Sequence, residues 1–357
     1  MAVTEAQVRE ALSRVIEPEL HRDLITLDMV RDIRIEDADV TFTIVLTTPA
    51  CPLKKEIEAS ARGELSRIAG LGSVTVQWDA KVPQHRGGGS GKQAVPGVSN
   101  IFAVTSGKGG VGKTTISVNL AVALAQSGAK VGICDCDIYG PNVPLMMGIH
   151  GTPRAAGNRI VPMVNYDVKI MSMAFLTGED TPLIWRGPMV HSAIRQFLFQ
   201  TDWGELDYLV IDLPPGTGDA QLTLVQAVPL MGGLVVTTPQ DVSLLDAKKA
   251  IMMFRQVNVP VLGIVENMSG FACPHCGTVS PIFSEGGGRQ TAEKYGVPFL
   301  GAVPIELEVR SGGDEGRPIA LREPPSAAAQ ALQELTRRTA AQISVQNLTG
   351  APLPVIQ

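Results

Sequence analysis

No stretch of this sequence holds the roughly 18 consecutive apolar residues that a membrane-spanning helix requires, so a helical membrane protein is excluded and a soluble one expected. There is no surplus of positive charge either. Lysine and arginine number 30 against 35 aspartate and glutamate, a net charge of -5, which speaks against the broad basic surface of non-specific nucleic-acid binding. The opening residues, MAVTEAQVREALSRVIEPEL, lack an apolar core flanked by basic residues. Neither a secretory signal nor a transit peptide is legible, and the cytoplasm is the expected compartment. Cysteine is scarce and odd in number: Cys51 alone, Cys134 with Cys136, and Cys273 with Cys276. Five so placed make no disulfide framework and read as reduced thiols or metal ligands. What is present is 357 residues, 45% hydrophobic and 18% charged, enough for two or three globular domains of about 150 residues.

Thr4 and Gln7 are spaced as a capping box, and Val8, Leu12, Val15 and Ile16 follow on one helical face. Val30 to Glu36 and the alternating Val40, Phe42, Ile44 and Leu46 predict two strands around the turn-prone Asp37-Ala38-Asp39. A second helix is predicted from Leu53, Ile57, Ala61, Leu65 and Ile68, and a third strand from Val74, Val76 and Trp78. The order α-β-β-α-β describes a small α+β domain over residues 1–80. Residues 81–99, with Gly-Gly-Gly-Ser-Gly, two prolines and no acid, read as a flexible linker. From 100 to 345, apolar runs at Ile101–Val104, Val131–Cys134, Tyr208–Ile211, Leu234–Thr237, Val261–Val265 and Phe299–Val303 alternate with helical segments. Such alternation predicts an α/β domain, doubly wound around a mostly parallel sheet. Ile116–Gln126 and Ser326–Ile343 are two of its helices, and 346–357 is a tail.

The strongest motif, SGKGGVGKTT at Ser106 to Thr115, directly follows the run IFAV and leads into a helix. Glycines without Cβ atoms let successive N–H groups turn inward toward phosphate oxygens, and the helix N-terminus adds a positive dipole end. Gly107, Lys108, Gly109, Gly110, Val111, Gly112, Lys113, Thr114 and Thr115 are therefore candidate nucleotide-binding residues. Lys113 would neutralise the β and γ phosphates, and the Thr114 hydroxyl would ligate Mg2+. Asp212, ending the strand YLVID, stands where a carboxylate would hold the magnesium hydration shell. Gly216, in the following Pro-Pro-Gly-Thr-Gly loop, would offer its N–H to the γ-phosphate.

Lys108 is a second lysine inside the loop. In this the sequence resembles the deviant Walker A group of MinD, ParA and the nitrogenase iron protein. The resemblance implies that Lys108 crosses to the nucleotide of the facing subunit in an ATP-sandwich homodimer. By the same resemblance Asp137, in CDCDIYGPN, orients the attacking water, Asp135 lies near Mg2+, Asn267 in VENMS contacts adenine, and the PIELEVR stretch lies opposite the base. Slow, dimer-dependent hydrolysis follows, with Lys108, Lys113 and Asp137 as the catalytic set.

Cys273-Pro274-His275-Cys276-Gly277 puts two thiols in a tight turn. Two thiolates do not close a site, because structural zinc and four-iron clusters take four ligands. The simplest donor of the rest is the same motif on a two-fold-related subunit. An intersubunit zinc and a redox dithiol are the alternatives, and His275 reads as an exposed turn residue. Cys134 and Cys136 read as buried small hydrophobes, while Cys51 lies just before a helix whose dipole would lower its thiol pKa.

Taken in order, SGKGGVGKTT, CDCDIYGPN, DLPPGTGD, VENMS and FACPHCG resemble the Mrp-type (ApbC-like) iron-sulfur cluster carrier ATPases, over residues 100 to about 320. The N-terminal EPEL, VTFTIVLTT and ACPL are similar to the small MIP18-type domain of iron-sulfur assembly proteins, whose cysteine Cys51 matches. FSEGGG departs from the usual FGxGGG. The resemblance implies ATP, Mg2+ and a labile 4Fe-4S cluster held by Cys273 and Cys276 between two subunits. Upstream scaffold proteins and apo iron-sulfur proteins would be its partners, with no nucleic acid or membrane. A ParA- or MinD-like positioning protein is the competing class. It is disfavoured by the net acidity and by a tail, NLTGAPLPVIQ, that is neither basic nor amphipathic.

Overall fold

Thr4 opens the first helix, Glu5–Leu12, through a closed capping box: its side chain accepts from Gln7 N–H, and the Gln7 side chain accepts from Thr4 N–H at 3.0 Å. The computed structural model describes residues 3–18, 20–51, 53–83, 92–176 and 187–349. Chain contacts separate two units, Met1–Pro83 and Gln84–Gln357. The glycine-rich part of the expected linker, 84–91, lies outside the described residues.

In the first unit the apolar period runs on to Ile16, but the helix stops at Leu12 and Ile16 pairs with Asp23 in a two-residue strand, half exposed. Strands Val30–Glu36 and Asp39–Leu46 are antiparallel, and Val74–Ala80 lies parallel beside the second. Val40, Phe42, Ile44 and Leu46 face inward together, as a period of two requires, and pack with Val8, Leu12 and the buried side of helix Lys54–Leu65.

The second unit is built on a nine-stranded sheet. Its parallel strands lie in the order Val168–Ser172, Val131–Asp135, Leu206–Asp212, Val98–Ser106, Gly232–Thr237, Val261–Ala272 and Phe299–Ile305. Two antiparallel pieces, Met163–Asn165 and Val279–Ser280, complete it. Val168–Ser172 does not read as an apolar run because Lys169 and Ser172 interrupt it; it joins the sheet through the turn at Tyr166 and Asp167, both at positive φ.

Both faces are covered. Phe102 meets Tyr208 edge-on at 6.5 Å on one, while Ile101, Ala103, Leu209 and Ile211 pack on the other with helices Gly187–Gln200 and Asp241–Gln256. Helix Lys113–Gln126 and the final helix, Ala327–Thr349, pack on each other. That last helix takes in residues 346–349, and 350–357 lie outside the described residues. The central strand Val98–Ser106 has one neighbour reached by the chain's excursion to Val131–Asp135 and back, and another on its opposite side. This is the topological switch point at which doubly wound sheets bind ligands, beyond the carboxyl ends of the strands. Among the described residues no helix is long and apolar enough to cross a membrane.

Candidate nucleotide and thiol sites

The loop after Ser106 is shaped at both ends by neighbours that leave no room for a side chain at Gly107 or Gly112. A Cβ on Gly107 would lie 2.1 Å from the Asp246 carbonyl carbon, and one on Gly112 would lie 2.1 Å from Asn267 Nδ2. Gly110 and Gly112 also hold φ of 80° and 82°, the left-handed region that glycine enters freely. Ser106 Oγ donates to the Lys108 carbonyl at 2.9 Å, and Asn267 Nδ2 donates to the Val111 carbonyl at 2.9 Å, so the loop is pinned from both sides. Gly109 faces open space, and Val111 is buried. Lys108 is half-buried and makes no ion pair among the described residues.

Lys113 leads the helix into a nest of carboxylates. Its Nζ donates to Asp212 Oδ2 at 2.6 Å and lies 3.6 Å from Asp137 Oδ2. Thr114 Oγ1 donates to the same Asp212 oxygen at 2.8 Å, and Ser117 Oγ donates to Asp212 Oδ1 at 2.6 Å. Asp135 accepts from Ser172 Oγ at 2.8 Å and from Asp137 N–H at 3.1 Å, while Asp137 Oδ1 accepts from Tyr139 N–H and Gly140 N–H. Burial opposes the Lys113 ammonium, but Asp212, Asp137 and Asp135 outweigh it and hold that group above its ordinary pKa. Burial first, then the charge of Asp212, pushes the Asp135 carboxyl up to about 7. One ammonium among three carboxylates leaves a buried negative excess, and the hydroxyl and carboxylate oxygens around it are the donors a hard divalent cation takes. Among the described residues no three His, Cys, Asp or Glu side chains cage a metal unaided.

Gly216 differs from expectation in this structure: its N–H is donated to the Ser106 carbonyl at 2.9 Å, so it meets a phosphate only by exchanging partners. A cavity of about 420 Å³ opens over Gly110, Lys113, Thr114 and Asp137. A second, of about 440 Å³, is lined by Asn267, Pro304, Glu306 and Val309. Gly112, Thr115, Asn142 and Met146 line both, so phosphate loop and Pro304 segment face one continuous space. Ser117, Ser172 and Asn142 are absent from the sequence reading. Only Ser117 carries a signal there, four residues after Lys113 on the same helix face.

The strand Val261–Ala272 passes Asn267 at the loop and then continues into a hairpin, Phe271 opposite Ser280 and Ala272 opposite Val279. Cys273 and Cys276 sit at its tip, Gly277 N–H donating to the Cys273 carbonyl at 2.9 Å. Cys273 is half-buried, while Cys276 and His275 are exposed. The Thr278 hydroxyl, 3.3 Å from Cys276 Sγ, is the first cause holding that thiol below its ordinary pKa; the Thr278 backbone and Cys273 add to it. Cys134 and Cys136 are fully buried with sulfurs 3.6 Å apart. Their mutual hydrogen bond, then burial, pushes the Cys136 thiol well up. They are core groups. Cys51 is half-buried against the apolar cluster of the first unit.

Residues 97–340 match the family model described as ParA, NUBPL iron-transfer P-loop NTPase, and residues 5–78 match that of an iron-sulfur cluster assembly protein. The "Iron-sulfur cluster carrier protein" of Synechocystis is 48% identical over 354 residues, 98% of this chain and 100% of that protein. The protein of the same name from Escherichia coli K12 is 41% identical, over 95% of this chain and 92% of its own. Among solved structures, a nucleotide-binding protein from Archaeoglobus fulgidus in complex with ADP is 41% identical with a TM-score of 0.56, covering 62% of this chain and 88% of its own.

Proposed function

The chain belongs to the NUBPL iron-transfer P-loop NTPases, with an iron-sulfur cluster assembly domain ahead of the NTPase, and from that premise we propose a cluster carrier. It binds and slowly hydrolyses ATP as a homodimer in the cytoplasm. Its cargo is a 4Fe-4S cluster, received from upstream scaffold proteins and delivered to apo iron-sulfur proteins. The observation that carries this reading is the thiol pair at the hairpin tip: accessible, one member acidified, and borne by the strand that pins the phosphate loop. A four-iron cluster takes four thiolates, so two copies of Cys273 and Cys276 complete it across a two-fold axis. Exposed apolar groups support such a face. Ile282 and Phe283 follow the hairpin, and Val242 and Leu245 stand on the helix whose Asp246 backs Gly107.

In the nucleotide step, Lys113 leaves Asp212 for the phosphates, and Gly107, Gly109, Gly110, Val111 and Gly112 surround their oxygens. Thr114 would hold Mg2+ directly, with Asp212 and Asp135 ordering its waters; when bound, the ion neutralises and polarises phosphate oxygens. Asp137 aligns the attacking water and takes its proton. Lys108 reaches the facing copy's phosphates, which makes turnover depend on the dimer, and Gly216 trades the Ser106 carbonyl for the γ-phosphate. Thr115, Asn267 and the Pro304 segment receive ribose and adenine. Catalysis of this kind is positioning and charge stabilisation rather than covalent chemistry.

Anaerobic reconstitution with iron and sulfide tests the cargo. The wild type should develop a broad visible charge-transfer band and bind acid-labile sulfide, and Cys273→Ala neither. Equal spectra for the two proteins would remove the cargo site, and zinc without iron in anaerobically isolated protein would replace it with a structural intersubunit zinc.

A further inference from the structure

We propose that Glu266 is the positioning residue through which the phosphate loop controls the cysteine hairpin, an inference that rests on the carrier reading above. Glu266 and Asn267 are adjacent on Val261–Ala272 and point to opposite faces. Asn267 binds the Val111 carbonyl inside the phosphate loop. Glu266, 1% exposed, turns away from the nucleotide and gathers three donors. Its Oε1 accepts from Ser269 Oγ at 2.6 Å and from Gly286 N–H at 2.9 Å, and its Oε2 accepts from Gly288 N–H at 2.5 Å.

Those donors bracket the segment that carries the thiols. Ser269 lies just before the hairpin, and Gly286 and Gly288 open the helix Gly287–Tyr295 just after it. Between Asn267 and Phe271 the pairing with Phe299–Ile305 slips register, and Met268 and Gly270 take φ of 57° and 81°. The strand therefore breaks stiffly extended geometry at the point where the hairpin departs. The return path bends again at Ser284 and Gly286, with φ of 75° and 80°. One carboxylate thus ties together both bent ends of a hairpin whose root touches the nucleotide loop. When the loop rearranges around phosphate, Asn267 is displaced with Val111. Glu266, rigidly adjacent, then shifts the hairpin ends and with them Cys273 and Cys276. Among the described residues no hydrogen bond of Glu266 reaches the phosphate nest, so its part is transmission and not chemistry.

Glu266→Gln keeps the shape but turns one acceptor oxygen into an NH2 donor facing an N–H donor, so at least one tie breaks. Hydrogen–deuterium exchange with and without Mg-ATP, on full-length protein free of cluster, reads the linkage directly. A chelator-release assay on reconstituted protein reads its consequence. In the wild type, ATP should change exchange across 268–288 and alter cluster release by about fivefold or more, the low end of allosteric coupling. In Glu266→Gln, ATP should still protect 107–115 and iron loading should stay at the wild-type level, while both hairpin responses fall to about onefold. Ser269→Ala, which removes one donor and leaves the charge, should give an intermediate response, and it carries the test if the first variant does not fold. An ATP response of the hairpin equal in Glu266→Gln and wild type, or absent from the wild type, overturns the proposal. If exchange behaves as expected but neither protein takes up iron, the linkage stands and the carrier reading falls.

Discussion

Lys113 is the only ammonium paired with Asp212 and Asp137 among the described residues, and its removal leaves buried carboxylates facing one another. Lys113→Ala should abolish ATP binding and, in nucleotide-free protein, lower stability by about 3 kcal/mol, the cost of breaking a buried pair. Adding Asp212→Asn should restore much of the stability but not the binding; urea unfolding and titration with a fluorescent ATP analogue separate the two. Asp135 supplies a pH dependence whose sign is fixed. Its carboxyl titrates at about 7 in the folded protein against an ordinary 3.8, so the folded state holds a proton that the unfolded chain has released. Its contribution to stability is full below the unfolded value and is lost as pH rises through about 7. Urea midpoints of Mg2+-free protein should therefore fall from about pH 5 to about pH 8, and Asp135→Asn should flatten that slope.

Between strand and helix, the phosphate loop was legible because everything that defines it is local: an apolar strand, glycines, a lysine, a helix. Asp212 was legible for the same reason, as an acid at a strand end, while the place of Asp135 near the metal came only with the family resemblance. What closes the loop from outside was not. Asn267 comes 156 residues after the Val111 carbonyl it binds, and the Gly216 N–H finds the Ser106 carbonyl where the motif alone points it at phosphate. The hairpin root is likewise invisible in sequence, because Glu266 reads as one more strand residue until Gly286 and Gly288 are folded against it. Gly112→Ala tests the fit of loop to strand. The new methyl would meet Asn267 Nδ2 and force a left-handed alanine, so stability should drop by about 1–3 kcal/mol. ATP affinity should fall at the same time, which isothermal titration reads.

At the scale of the whole molecule the sequence spoke through its order of motifs, and the fold class followed from strand and helix alternation. The strand Val168–Ser172 escaped because its lysine and serine mask its burial. The proposed dimer makes its own demand: Lys108→Ala should bind ATP as a monomer, fail to dimerise on adding ATP, and lose turnover by at least about a hundredfold, as when a trans-acting cation is removed. Analytical ultracentrifugation and phosphate release measure the two halves of that statement. The sheet order has a further consequence, for the birth of the protein. The strand Val98–Ser106 leaves the ribosome early, yet its flanking partners, Leu206–Asp212 and Gly232–Thr237, are translated more than a hundred residues later. A nascent chain paused anywhere before them exposes an unpaired apolar strand and a Lys113 without Asp212, so chaperone engagement during translation should peak in that interval and end once Thr237 has emerged.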